Sequence, residues 1–247
     1  MTGAGRHARD GAFLAALACL LLAVAALTPA VAGAAGGGAQ APAQRDQLLL
    51  LHGGSFLYED PTFEPLTRER AIAAGFVPHY VTYPLDSLPA AVATARDEAR
   101  RLREKFGLDH VFAYGASAGG TLASLLAAEG LVAGGVAKAP VSDLATWEWP
   151  LARYGIGYWE SLGVDLAQRE RFSPALREFH SPLLVIQGRA DRIVPPRMNE
   201  QFAAEHGLVV LWRVAGGHWT DRSRPYLVTR AMDWLATIAR RVPVLAH

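Results

Sequence analysis

The chain has 247 residues, enough for one domain or one domain with a short appendage. Hydrophobic residues make up 51% and charged residues 19%, which admits a large buried core and excludes wholesale disorder. The formal charge is +1, from 24 basic and 23 acidic side chains, and no arginine cluster dominates any segment, so no nucleic-acid surface is expected.

At the start, Arg6, His7 and Arg9 precede an apolar run from Gly11 to Thr28, then Pro29 and the small residues Ala30 to Ala34. Basic start, apolar middle and an A-x-A pattern predict a secretory signal peptide over 1–32, with cleavage after Ala32 or Ala34. The competing reading is an uncleaved anchor, since about eighteen apolar residues lie near the lower limit for spanning a bilayer. A membrane is an expected partner only in that case. Cys19 is the single cysteine and sits inside the run, with Leu20, Leu21 and Leu22 after it, whereas a lipid-bearing cysteine would close the run. Cleavage leaves no thiol and no disulfide, which suits an oxidising compartment without requiring one. The expected location is secreted or periplasmic, or N-terminally anchored if the segment stays. Residues 33–46, rich in Ala, Gly, Gln and Pro, read as a flexible leader, and the folded domain is expected over 47–247.

From Gln47 onward, short apolar runs alternate with longer helical patterns. The runs are Leu48–Leu51, Phe76–Tyr83, His110–Tyr114, Leu131–Val136, Pro182–Gln187 and Leu208–Val214. Without polar alternation, they suit strands covered on both faces, as in a parallel sheet. Between them, Val92, Ala95, Ala99, Leu102 and Phe106 form one helical stripe, with Pro89 at its start and Gly107 past its end. Leu122 to Ala128 is apolar all round, and Leu227, Ala231, Trp234, Leu235 and Ile238 make another stripe. This rhythm predicts a doubly wound α/β sheet. Residues 141–179 break it. They carry Trp147, Trp149, Tyr154, Tyr158 and Trp159, and read as a small helical insertion that caps an aromatic-lined pocket or merely buries aromatics against the domain.

The chemistry starts at Gly115-Ala116-Ser117-Ala118-Gly119, a G-x-S-x-G pentapeptide. Composition alone would produce about 0.09 such matches, so the motif is weak in isolation. Its setting strengthens it, because an apolar strand runs in and a helix runs out, as at a nucleophile elbow. Flanking glycines let strand and helix approach, and the helix N-terminus offers backbone N–H groups to a developing oxyanion.

A serine hydroxyl needs a base, and the base needs an orienting acid. Of eight histidines, His218 stands out, in Ala215-Gly216-Gly217-His218-Trp219 directly after the last strand. His79, His110, His180 and His206 occupy strand, loop and helix-end positions suited to structural roles. For the acid, Asp191 follows the strand Pro182–Gln187, giving the order Ser117, Asp191, His218. Asp143 is the alternative, and Asp221 is too near His218 in sequence to be a comfortable partner. His52-Gly53-Gly54-Ser55-Phe56 after the first strand can aim N–H groups at a substrate oxygen. Gly54 or Ser55, with Ala118, are the expected oxyanion donors.

Taken together and in this order, these motifs resemble the α/β-hydrolase superfamily over nearly all of Gln47 to Arg241. The segment His52 to Phe56 is similar to the HGG segment of hormone-sensitive-lipase-like esterases and of arylformamidases. The stretch from Phe172-Ser173-Pro174 through Pro182–Gly188 to Asp191 resembles the catalytic domain of prolyl oligopeptidases, with Ser117, Asp191 and His218 at that family's triad positions. The sequence departs in having Ser55 where an HGGG motif has its third glycine. Residues before Gln47 do not supply the two usual leading strands, so the resemblance implies an α/β-hydrolase fold with a mostly parallel sheet of about six strands, helices on both faces and a small helical cap. No β-propeller precedes the domain, which weakens a peptidase reading.

The expected activity is hydrolysis of small-molecule carboxylic esters through an acyl-enzyme. The alternatives are an amidase or peptidase, and a non-catalytic binding protein on the same fold. No metal or organic cofactor is expected, since no His/Cys/carboxylate cluster has ligand spacing and no phosphate-binding glycine loop appears.

Overall fold

The computed structural model describes residues 45–148 and 157–240. The expected signal peptide, nearly all of the leader, and Trp149 and Tyr154 of the insertion lie outside the described residues.

Six strands form one sheet in the order β2-β1-β3-β4-β5-β6. They are β1 (Gln47–Leu51), β2 (Val77–Val81), β3 (Val111–Ala116), β4 (Gly134–Lys138), β5 (Leu183–Gly188) and β6 (Val209–Val214). Every pairing is parallel. Each of the six apolar runs therefore yields a strand, within a few residues of its expected ends.

Leucines alternate across β1 to feed two cores. Leu49 and Leu51 pack with Val92, Ala95 and Leu102 of α2 (Leu88–Phe106) and with α3 (Ala118–Ala128). Leu48 and Leu50 pack on the opposite face with Phe63 of α1 (Phe63–Ala73) and with Val228, Ala231, Met232 and Leu235 of α8 (Tyr226–Ala239). A strand supplying both faces has no polar side to show, which is why β1, β3, β4 and β5 read as unbroken apolar runs. All of α3 is buried, as its all-round apolar sequence requires. The α2 stripe begins at the N-cap Ser87 with proline in its first turn, and Gly107 ends it at φ 84°.

Two expectations need correction. β2 and β6 are only partly covered, because they are the sheet's edges. Pro78 in β2 fits that position, since an edge strand tolerates a missing N–H. The run Leu131–Val136 is displaced: its strand starts at Gly134 and continues through Lys138, a lysine only 2% exposed.

Residues 157–176 of the insertion contain α4 (Tyr158–Ser161), α5 (Leu166–Arg171) and a short 3-10 turn (Pro174–Leu176). Arg169 ties this region to the chain beside it. Its guanidinium donates to the carbonyls of Leu144, Ala145 and Trp147 and lies 4.5 Å from the Trp159 ring. The remaining helices are α6 (Pro196–Glu205), after β5, and the short α7 (Thr220–Ser223), after β6.

Candidate active site

The strand order reverses direction at β1, whose neighbours β2 and β3 lie on opposite sides. Parallel sheets open a crevice at such a point, beyond the strands' C-terminal ends. Pairing of Leu51 with Gly115 sets the loop after β1 beside the loop after β3. Close packing there explains both elbow glycines. A Cβ on Gly119 would stand 2.0 Å from the Leu51 carbonyl oxygen, and one on Gly115 2.0 Å from the Gly119 carbonyl oxygen. Between them, Ser117 is held at φ 53° and ψ −115°, a conformation that costs a non-glycine residue about 1–3 kcal/mol. Its N–H donates to the Lys138 carbonyl at 2.7 Å, which pins the turn to β4.

Three strand-end loops converge on this serine. The Ser117 hydroxyl lies 3.0 Å from His218 Nε2, and His218 Nδ1 lies 2.8 Å from Asp191 Oδ2. All three residues are buried. An ionised carboxylate can only accept, so Nδ1 carries the imidazole proton and the Nε2 lone pair faces the serine O–H. Asp191 is held in turn. Its Oδ1 accepts from the N–H groups of Ile193 and Val194, and its Oδ2 accepts from Gln187 at 3.1 Å. Burial alone would push this carboxyl up, but the hydrogen bond and charge of His218, together with those two N–H groups, hold it below the ordinary range. Burial pushes the His218 imidazole below its ordinary value. Asp191 opposes that shift, and the Lys138 cation reinforces it.

The structure brings Ser117, Asp191 and His218 together and leaves the other candidates apart. Asp143 accepts from the N–H groups of Ala145 and Thr146 and from the Thr146 hydroxyl, so it caps a local turn. His52 donates from Nδ1 to the Gly53 carbonyl, and its ring stacks on Tyr83 at 4.1 Å. His79 pairs with Gln47, His110 with Asp46 and His206 with the Ala175 carbonyl. Of the expected oxyanion donors, Ser55 and Ala118 line one cavity with Ser117, while Gly54 lies one residue back in the turn. Ala118 opens α3, where an N–H has no helical acceptor. Gly54, Ser55 and Phe56 form a tight turn, all at positive φ.

Sequence reasoning missed Lys138. From the end of β4 its ammonium donates to the His218 carbonyl at 2.9 Å, and it pairs with the buried Asp221 carboxylate at 2.9 Å. Asp221 is thus not a rival to Asp191 but the counter-ion of a lysine beneath the histidine loop. Arg222 pairs with Asp60 at 2.7 Å, and its guanidinium lies 4.3 Å from the Trp219 ring, which the Lys138 ammonium also approaches at 5.3 Å. A buried charge demands a partner, and the available signal was a lone lysine directly after an apolar run.

The same cavity, about 240 Å³ with its open mouth included, is walled by Phe56, Val141, Trp147, Tyr158, Ile193 and Val194.

The family model of the prolyl oligopeptidase family matches residues 94–240. No curated protein matches the sequence. Among solved structures, an acetyl ester-xyloside bifunctional hydrolase from Caldicellulosiruptor lactoaceticus superposes with a TM-score of 0.67 at 19% identity, covering 81% of this chain and 85% of that one. An esterase from Pyrobaculum calidifontis gives 0.66 at 21%, covering 79% and 77%. An esterase from the planctomycete Thermogutta terrifontis gives 0.64 at 21%, covering 82% and 85%. At these identities the likeness is one of fold, the α/β-hydrolase fold.

Proposed function

The chain belongs to the prolyl oligopeptidase family of serine hydrolases, and we propose that it cleaves carboxylic esters through an acyl-enzyme formed on Ser117. The observation that carries this reading is the unbroken run of hydrogen bonds from Ser117 through His218 to Asp191. In the first half-reaction, Ser117 Oγ attacks the substrate carbonyl carbon while its proton passes to His218 Nε2. The carbonyl oxygen becomes an oxyanion facing the N–H groups of Ala118 and of Ser55 or Gly54. Removing one such donor typically costs about 10²–10³ in rate. As the intermediate collapses, His218 returns the proton to the leaving oxygen and the alcohol departs. Water, deprotonated by the same nitrogen, then attacks the acyl-serine and frees the acid. Asp191 keeps the imidazole in the required tautomer and stabilises its transient positive charge.

Family membership favours a second reading, an amidase or peptidase. Supporting the ester reading are the esterase names of the structural neighbours and a small apolar cavity at Ser117, with residues 141–179 read as its cap. A panel of p-nitrophenyl esters set against aminoacyl-arylamides separates the two. Turnover of esters is expected, and exclusive turnover of arylamides would overturn it. A fluorophosphonate probe tests catalysis itself: a Ser117 adduct on folded protein is expected, and its absence would leave only a binding role. The N-terminal segment supports action outside the cytoplasm, which N-terminal sequencing of the exported protein would check.

A further inference from the structure

We infer that the acyl group this enzyme accepts is acetyl-sized, and that the limit is set by Trp147 and Tyr158 of the insertion. The inference rests on the ester reading above and adds to it a substrate class and two specificity-determining side chains.

The argument begins with direction. His218 must hand its proton to the leaving oxygen, so the alcohol half of an ester lies on the His218 side of Ser117. The cavity walled by Phe56, Trp147, Tyr158, Val141 and Val194 is lined by no residue of the loop that carries His218. It contains Ser117 together with Ser55 and Ala118, the oxyanion side of the nucleophile. A carbonyl carbon bonded to Ser117 sets its oxygen at the Ser55 and Ala118 end of this cavity, and its acyl substituent, turned away from His218, faces the apolar walls. Among the described residues, the walls leave room for little more than one water-sized group, close to the size of a methyl.

The walls are fixed from two sides. Trp147 donates from Nε1 to the Ile193 carbonyl at 2.9 Å, and Tyr158 donates from its hydroxyl to the Ser55 carbonyl at 3.0 Å. The two rings meet edge to face at 5.8 Å. Widening the cavity by swinging either ring breaks a hydrogen bond. It also disturbs a loop the chemistry needs, because Ile193 and Val194 supply the N–H groups that hold Asp191, and Ser55 lies in the oxyanion turn. Longer acyl chains thus meet walls that cannot yield without loss of the catalytic arrangement.

The test is the hydrolysis of p-nitrophenyl acetate, butyrate, hexanoate and octanoate by the full chain. One methylene in a tight apolar pocket discriminates by about tenfold or more. Butyrate carries two methylenes more than acetate, so a fall in kcat/KM of roughly a hundredfold from acetate to butyrate is expected, with no recovery at hexanoate or octanoate. Trp147→Ala should raise the hexanoate-to-acetate ratio by about tenfold or more. Val141→Ala should shift the ratio in the same direction by less, and it carries the test should the tryptophan variant not fold. A wild-type optimum at hexanoate or beyond, or an unchanged ratio in the folded variants, overturns the size limit while leaving ester hydrolysis intact. Failure to turn over even the acetate overturns the ester reading itself.

Discussion

The two sides of Ser117 are built from different materials. Toward His218 the interior is charged: Asp191, Lys138 and Asp221 are all buried, and each is held by paired charges or main-chain groups. Toward the acyl cavity the interior is largely aromatic and aliphatic, and two of its rings donate to main-chain carbonyls. Groups held by charge govern where a proton resides, and groups held by packing govern what volume is left. Damage to the first side should therefore appear in rate and pH dependence, and damage to the second in chain-length preference.

The largest effects come from the residue the two sides share and from its charged relay. Ser117→Ala should lower kcat by about 10⁴-fold or more for every ester alike, with the fold unchanged by circular dichroism. Residual activity of more than a few per cent would contradict the nucleophile assignment. Asp191→Asn should cost about 10⁴ in kcat, because an amide can donate to His218 and so favours the wrong tautomer. Neither change should alter the order of preference among acyl chains. A chain-length shift in Asp191→Asn would show that the two sides are coupled through the 191–194 turn.

How much of this could be read in advance also differs between the sides. The strand-end positions of Ser117, Asp191 and His218 follow from apolar runs and the loops that close them, since a parallel sheet places those loops at one edge. The elbow glycines were legible for the same reason. Lys138 was not, because a charged residue ordinarily ends a strand and its counter-ion lies 83 residues later in the chain. The acyl wall was legible only as an excess of aromatics over 147–159. That Trp147 and Tyr158 turn toward Ser117 depends on two bonds to distant carbonyls, Ile193 and Ser55, which no local pattern encodes.

Lys138→Met breaks the charged side more gently. It removes the tie to the His218 carbonyl and strands the Asp221 carboxylate, a loss expected to destabilise the fold by about 3–5 kcal/mol. Combining it with Asp221→Asn removes the stranded charge, so most of that stability should return in chemical denaturation. The tie to His218 does not return, and kcat/KM in the double variant should stay roughly tenfold to a hundredfold below wild type, the scale of a misplaced catalytic group. Full recovery of rate along with stability would mean that Lys138 only fills space.

The smallest expected effect gives the clearest contrast in sign. His218 must be neutral to accept the serine proton, so kcat/KM falls on the acid side as the imidazole protonates. Burial and the Lys138 cation hold that pKa below the ordinary 6.5, so the acid midpoint of the wild-type profile should lie below pH 6.5. The Asp221 carboxylate acts in the opposite direction, favouring the protonated ring. Asp221→Asn should therefore carry the midpoint further down, and Lys138→Met should carry it up. Neither should change the acetate-to-butyrate ratio, whereas Val141→Ala should change that ratio and leave the midpoint where it is. Shifts of the same sign in the two charge variants would show that general loosening of the loop, rather than the buried charges, moves the His218 equilibrium.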